Sequence, residues 1–245
     1  MIGTILNILT VLVGGTIGIG FGAKLPERVR QTIIAGLGLF TIAIGLNMFF
    51  QTENAIVVLI SLLVGGLLGE WWRIEDGLRG LGDMLERRFA KPQPAQAGID
   101  EPRETRFVRG FLTASLVFCI GPMAIIGSIQ DGLTGDYSLL AIKSVLDGFA
   151  SLAFASTLGI GVLFSTLVIL VYQGGLSLLA AQAQAVISSE MMNELTAAGG
   201  VLLLGVAISS ILEIKPIRVG NFIPALAVAP LLMGILQAAG ILPTS

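Results

Sequence analysis

Apolar residues run along this chain in stretches of about twenty, separated by short polar segments, and do not alternate with polar residues. Such a stretch matches the length of a membrane-spanning helix, whereas the strands of a membrane barrel alternate. The pattern therefore predicts an all-α, polytopic transmembrane helical bundle. We expect about eight spans, at 2–22, 31–50, 54–72, 107–129, 139–158, 159–181, 195–212 and 221–242.

One extended polar segment, 73–105, divides the chain into an N-terminal three-span half at 1–72 and a C-terminal half of about five spans at 106–245. The segment begins with apolar side chains at helical spacing, which are Ile74, Leu78, Leu81, Leu85 and Phe89. Charged residues occupy the other positions, as in an amphipathic interfacial helix that lies along a membrane surface. The stretch that follows, KPQPAQAGIDEP, is typical of a flexible linker.

Basic residues predict which loops are cytoplasmic, because Lys and Arg accumulate on that side of a membrane protein. Thirteen of the fourteen lie after span one, in the polar segment or within four residues after it, or between the last two spans. The segments 51–54, 131–137 and 188–195 carry acidic residues and no basic ones, which suits the outer side. Residues 138–187 lie between two outer segments and must then cross the membrane twice. Eight spans with both termini outside follow; seven spans are the alternative if that region forms one long helix.

Composition agrees with a membrane location. Hydrophobic residues make up 54% of the chain, charged residues 12%, and the mean hydropathy is +0.91. A soluble domain has roughly 25% charged residues. The 32 glycines suit closely packed membrane helices, in which small residues let backbones approach. Gly14, Gly18 and Gly22 fall on one helix face, which favours helix packing over a phosphate-binding loop.

The chain contains no histidine and one cysteine, Cys119. This excludes a disulfide framework and a His/Cys zinc site, and it removes the commonest general base. We therefore expect no enzymatic activity, no cofactor and no metal centre. Acidic residues interleave with the basic ones of the polar segment, so anionic lipid headgroups explain that charge more simply than nucleic acid does.

Lys143 and Asp147 interrupt the span at 139–158 and lie one helical turn apart, so their side chains can meet. Lysine can extend its charge toward the membrane surface, but an aspartate about two turns inside is too short to do so. A charged aspartate at mid-membrane costs about 2.5–3.5 kcal/mol on insertion scales, so it should face the bundle interior or a wet cavity. Two hypotheses stay open: a functional ion pair, centred on Asp147, or a structural pair that fixes the start of the helix.

A second polar region is CIGPMAIIGSIQDG, at 119–132. Pro122 has no amide hydrogen and leaves the carbonyl of Phe118 without its helical donor. Transporters use such broken helices as binding sites, although a plain proline kink is also common in membrane helices. Ser128, Gln130 and Asp131 follow the break and favour a polar path.

Further polar residues extend this hypothesis. Ser151 lies in a stretch rich in Ala, Ser and Gly, where it either lines the path or permits close packing. Asp136, together with Asp131, would attract cations at an outer mouth. Asn7 and Asn47 are amides near the outer ends of their spans, and Tyr172 and Gln173 interrupt the span at 159–181. Asn221 before the last span is expected to act as a helix N-cap.

These features favour a small secondary transporter or channel for a small solute or cation, with Asp147 binding the cation and Lys143 tuning its charge. A structural or regulatory membrane protein that acts as a partner subunit is the alternative. An intramembrane enzyme would need paired carboxylates or a nucleophile with a base, and the spans supply neither clearly. The lipid bilayer is the expected partner, and the glycine-rich faces permit a homo-oligomer.

Four stretches carry a family resemblance: FCIGPMAIIGSIQDGLTGDYSLLAIKSVLDGFASLAFASTLGIGVLFS, GFGAKLPERVRQTIIAGLGL, GGLLGEWWRIEDGLRGLGD and IKPIRVGNFIPAL. In these the chain resembles the bacterial inner-membrane family known as domain of unknown function 554. The likeness extends over nearly the whole chain. It implies a multi-pass protein of the bacterial inner (plasma) membrane and assigns no role to individual residues.

Overall fold

The computed structural model describes residues 1–22, 25–89, 105–181 and 188–242. Within these ranges the chain forms ten α-helices and no strand. The helices are α1 Ile2–Gly22, α2 Glu27–Phe49, α3 Ala55–Trp72, α4 Ile74–Phe89, α5 Arg106–Cys119, α6 Pro122–Leu133, α7 Ser138–Leu158, α8 Gly161–Leu178, α9 Ser189–Val206 and α10 Ala225–Ala238. A π-helical turn, Ala207–Ile211, extends α9, and a 3-10 turn, Val219–Phe222, precedes α10. The predicted linker at 91–102 and the predicted loop residue Lys24 lie outside the described residues.

The all-α, polytopic architecture is confirmed. Seven helical segments of the described chain are long and apolar enough to span a membrane, and α5 and α6 together form an eighth, bent by 64° at a short break. The predicted span at 107–129 is therefore two helices, separated at Ile120 and Gly121.

The bent pair connects the two ends of the bundle. At the end that we call the upper end, Asp131 of α6 binds the backbone N–H of Gly3, and Gly3 packs on Leu140. At the lower end, Arg106 of α5 donates to the carbonyl of Thr157, which lies near the end of α7. Because α5 begins at the lower end and α6 ends at the upper end, the pair traverses the bundle once, and the described helices together traverse it eight times.

Helices α1 and α7 run parallel and pack through the glycine face predicted from the sequence. A Cβ atom at Gly14, Gly18 or Gly22 would lie 2.1, 2.2 or 2.2 Å from a backbone carbonyl oxygen of α7. Such distances leave no room for a side chain, so the two backbones are in direct contact. We call this contact the α1–α7 seam.

Glycines bring three other helix pairs equally close. Gly45 of α2 meets Gly200 of α9, and Gly69 of α3 meets the backbone of Asn221 before α10. Gly161 of α8 meets the carbonyl of Phe107 in α5. The abundance of glycine is thus explained by backbone contacts between helices, in which dispersion replaces the hydrophobic effect as the main attraction.

The predicted starts of two spans are wrong, because each helix begins earlier, among polar residues. Helix α2 begins at Glu27, and α9 begins at Ser189, six residues before the predicted span. The hydroxyl of Ser188 accepts from the N–H of Met191 and caps α9. In contrast, the predicted division of this region into spans at 139–158 and 159–181 is confirmed, since Gly159 and Ile160 separate α7 from α8.

Helix α4 is the predicted amphipathic helix. Leu85 is buried against Phe107, Val108 and Phe111 of α5, and Leu78 and Leu81 pack on the same cluster. Phe89, the last residue of the predicted apolar face, remains 57% exposed. The helix thus packs its apolar side on the lower end of α5 and turns most of its charges outward, while Glu75 at its start is buried.

The α1–α7 seam leads to a first prediction. Replacing Gly18 with Ala forces a methyl group against the Leu152 carbonyl, and overpacking of this kind costs about 1–3 kcal/mol. Gly18→Ala should lower the thermal unfolding midpoint of the purified protein in detergent by several degrees.

Gly20→Ala is the matched control, since nothing lies within 4 Å of a Cβ at Gly20. Alanine is favoured over glycine in a helix by up to about 1 kcal/mol, so the control should leave the midpoint unchanged or slightly raised. Equal midpoints for the two variants would contradict direct backbone contact at the seam.

Candidate functional site

Lys143 and Asp147 form a buried ion pair at the centre of the bundle. The Lys143 ammonium donates to Asp147 Oδ2, and the two side chains are 8% and 12% exposed. Asp147 lies nine residues after the start of the 21-residue helix α7, or about 14 Å along its axis. The carboxylate is therefore near mid-membrane and cannot reach the headgroup level.

The same ammonium binds the helix break. Lys143 Nζ donates to the carbonyl oxygen of Phe118 at 2.8 Å. This is the carbonyl that would accept from residue 122 in a continuous helix, and Pro122 has no hydrogen to donate. The lysine thus takes the place of the missing donor, and the break and the ion pair belong to one site.

Two amides, Asn7 and Gln173, complete this site from α1 and α8. Asn7 Nδ2 donates to Asp147 Oδ2 at 2.9 Å and lies 3.4 Å from Gln173 Oε1. Both side chains are fully buried. The sequence shows both amides as polar residues of apolar spans but does not place them with Asp147. Only their polarity inside apolar spans pointed to them. We call these four side chains and the Phe118 carbonyl the central cluster.

Polar atoms without a hydrogen-bond partner lie between the central cluster and the upper end. Among the described residues, Asn7 Oδ1 and Gln173 Nε2 are buried and unpartnered. Thr4 Oγ1 and Ser177 Oγ, one helical turn nearer the upper end on the same two helices, are unpartnered as well. Buried polar groups are normally satisfied by protein or water. This strip between α1 and α8 therefore has the polarity to bind water or a solute.

The other predicted site residues lie outside the central cluster. Ser128 is buried and donates to the Ala124 carbonyl of its own helix, while Gln130 is exposed. Ser151 donates to the Val11 carbonyl across the α1–α7 seam, which is a packing role. Pro122 is the first residue of α6.

The two predicted outer-mouth carboxylates lie at the upper end. Asp131 is buried and accepts from the Gly3 N–H at 3.1 Å and from the Met1 amino group at 2.9 Å, so it caps α1. Asp136 is exposed, and hydrogen bonds from the Ser138 side chain and backbone hold its pKa below the usual value. Asp131 and Asp147 bind successive turns of α1 and not each other.

Other buried acidic residues form hydrogen bonds that connect neighbouring segments at the two ends of the bundle. Glu194 is fully buried and accepts from the Thr52 hydroxyl and from the N–H groups of Glu53 and Asn54, at 2.7–3.0 Å. It therefore anchors the turn before α3, and the side chain of Asn54 caps the helix by accepting from the Ile56 N–H. The sequence predicts an outer loop for Glu194, but the residue lies in α9. No local pattern identifies its partners, because they lie 140–142 residues away.

At the lower end, Asn221 connects α3, α4 and the turn before α10. Its side chain accepts from the Glu75 N–H at 2.8 Å and donates to Glu70 at 2.6 Å. The Glu75 carboxylate accepts in turn from the Gly220 N–H. Asn221 caps the first turn of α4, not α10, so the predicted N-cap is assigned to the wrong helix.

Within the described ranges, no group of three or more His, Cys, Asp or Glu side chains could hold a metal ion. Any cation in the central cluster would depend on one carboxylate together with neutral oxygens, which is the ligand type of hard cations.

Eight crossings, glycine-mediated helix contacts and a polar cluster at mid-depth define the class of this molecule: a multi-pass α-helical membrane protein. The chain matches the family model "Protein of unknown function (DUF554)" over residues 2–234 and belongs to that family. It is 32% identical over 245 residues to "Uncharacterized membrane protein YdfK" of Bacillus subtilis (strain 168), covering 98% of this chain and 99% of the relative. It is 31% identical over 229 residues to "Uncharacterized protein YqgA" of Escherichia coli (strain K12), covering 94% of each. No solved structure matches the chain.

The ion pair leads to a second prediction. Asp147→Asn leaves the Lys143 charge buried without a counter-charge, and breaking a buried pair in this way costs about 3–5 kcal/mol. The variant should unfold at a clearly lower temperature in detergent. Lys143→Met/Asp147→Asn removes both charges and should recover most of the loss.

A double-mutant cycle on thermal midpoints, completed with Lys143→Met, measures this coupling. If the decreases in midpoint of the two single variants simply add in the double variant, the two side chains are not energetically coupled.

Proposed function

We propose that this protein is a small secondary transporter or channel for a small cation, or for a small solute coupled to one. Its path would pass through the central cluster. The observation that carries the proposal is the Lys143–Asp147 ion pair at mid-span, bound to the carbonyl that the α5–α6 break frees.

The energetic cost of that arrangement supports a functional role. Ionisable residues inside membrane helices are costly and usually mark ion or substrate pathways. Broken helices at the midplane supply free backbone groups for binding, and transporters use them for that purpose. In this protein the buried ion pair and the α5–α6 break share one ammonium group, and another cation could replace that group.

The unpartnered polar atoms of α1 and α8 offer an approach from the upper end, while Thr113 Oγ1 and Ser115 Oγ of α5 are buried and unpartnered on the lower side of the break. Thr4 and Asn7 on α1, and Ser177 and Gln173 on α8, form two successive levels between the upper end and the ion pair. Asp136 is exposed at the upper end and attracts cations toward it, whereas Asp131 there is buried and paired with the Met1 amino group. In this proposal Asp147 receives the cation, and Lys143 tunes the charge of the site. No catalytic step is assigned to any residue.

Charge placement supports an orientation in the bacterial inner membrane. Apart from Lys143, the described basic residues lie on α4 or at helix ends of the lower end. By the positive-inside rule the lower end faces the cytoplasm. Both termini and the acidic upper end then face outward.

Reconstitution of the full chain into liposomes gives a third prediction. With an imposed Na⁺ gradient, or a pH gradient followed with an entrapped dye, wild-type protein should move Na⁺ or protons faster than protein-free liposomes. Asp147→Asn should reduce that flux at least tenfold.

Asp83→Asn, a change of the same kind on the exposed side of α4, should keep wild-type flux. A folded Asp147→Asn variant with undiminished flux would remove Asp147 from the mechanism. Absence of Na⁺ and proton movement by wild-type protein would overturn the transport proposal and favour a partner-subunit role.

A further inference from the structure

We infer that the central cluster is a site for one small monovalent cation of the Na⁺ type, and that the Lys143 ammonium occupies this site as an internal substitute for the ion. Asp147, the Phe118 carbonyl and the side-chain oxygen of Asn7 supply the ligands. This inference rests on the transport function proposed above and names the ion class that the same site takes.

The three ligands are oxygens contributed by three different helices. Asp147 Oδ2 accepts from both Lys143 and Asn7, so Asp147 Oδ1 takes part in neither hydrogen bond. The Phe118 carbonyl accepts from Lys143. Asn7 Oδ1, on the amide that contacts Asp147, is buried without a partner. When the ammonium withdraws, Asp147 Oδ2 and the Phe118 carbonyl oxygen lose their cationic donor. Asn7 Oδ1 has no hydrogen-bond partner even before that.

The chemistry of these atoms selects a hard cation. Carboxylate, backbone carbonyl and amide oxygens are the ligands of Na⁺-like and alkaline-earth ions, whereas soft metals prefer thiolate and imidazole. The chain has no histidine. Cys119, its single cysteine, ends α5 immediately after Phe118 and makes no hydrogen bond to either member of the pair.

The charge balance selects a monovalent ion. The cluster contains one carboxylate and one ammonium, so its net charge is zero with Lys143 in place. Exchange of the ammonium for Na⁺ preserves that balance. A divalent ion would leave one uncompensated positive charge at mid-membrane, where an isolated charge is costly. Protein sites for Ca²⁺ usually combine several carboxylates, and this cluster has one.

The position of the lysine allows the exchange. Lys143 precedes Asp147 by one turn on α7, on the side of the upper end. Its long aliphatic stem can carry the ammonium away from Asp147 toward that end. There the buried Asp131 Oδ1 has no hydrogen-bond partner. Withdrawal of the lysine and entry of the cation therefore both use the upper end of the bundle, where α6 contacts α1 and α8.

The test measures ion binding without transport. Full-length protein in detergent is unfolded thermally in NaCl, with N-methyl-D-glucamine chloride holding the ionic strength constant. Lys143→Met should be destabilised without Na⁺ and should gain stability saturably as Na⁺ is added, because a ligand that binds only the folded state raises the midpoint. The half-saturating Na⁺ concentration should be at least tenfold lower than for wild type, in which Na⁺ must displace the ammonium.

Three variants make the test specific. Lys143→Met/Asp147→Asn should lose the Na⁺ response. Lys215→Met, at an exposed lysine of the lower end, should respond as wild type does. If Lys143→Met fails to fold, Lys143→Gln keeps a donor for the Phe118 carbonyl and should give the same low half-saturating concentration.

Equal midpoints of the folded Lys143 variant in Na⁺ and in N-methyl-D-glucamine would overturn the inference, as would stabilisation by Mg²⁺ beyond that by Na⁺.

This binding test does not depend on the measurement of ion flux in liposomes. Na⁺ binding without ion movement in liposomes leaves the cation site standing and removes transport, whereas ion movement without Na⁺ binding leaves transport and removes the site.

Discussion

The centre of the molecule depends on two hydrogen bonds that the Lys143 ammonium donates. It neutralises Asp147 and at the same time satisfies the carbonyl that Pro122 deprives of its helical donor. Neither feature is stable alone in a medium without water, because a lone buried charge and an unpaired backbone group each carry a desolvation cost. The broken helix and the charged helix therefore stabilise each other through one side chain.

The close approach of α1 and α7 allows the rest of the cluster to form. Glycines bring the two backbones into contact, and polar groups of α1 then meet acids at successive levels: Gly3 binds Asp131 and Asn7 binds Asp147. Ser151 closes the same contact further down by donating to the Val11 carbonyl. Membrane helices have little hydrophobic attraction for each other, so close packing and interhelical hydrogen bonds together hold this pair.

Local features of the sequence were sufficient for much of this structure. The spans follow from apolar length, the Lys143–Asp147 contact from helical spacing, and the break from Pro122. The features that were missed depend on residues far apart in the chain. Asn7 joins Asp147 across 140 residues and Gln173 joins Asn7 across 166. Glu194 resembles a loop acid until its backbone partners in the turn before α3 are known. Polarity within an apolar span signals that a partner exists but cannot identify it.

The α1–α7 seam also constrains how the protein is made. Helix α1 enters the membrane first, whereas α7 begins at residue 138, so α2, α3 and the bent pair α5–α6 are synthesised between the two. During that interval the glycine face of α1 and the amide of Asn7 are without their partners on α7. The first helix therefore meets α7 only after these spans are made, and the ion pair reaches its final surroundings later still, when α8 brings Gln173 to Asn7.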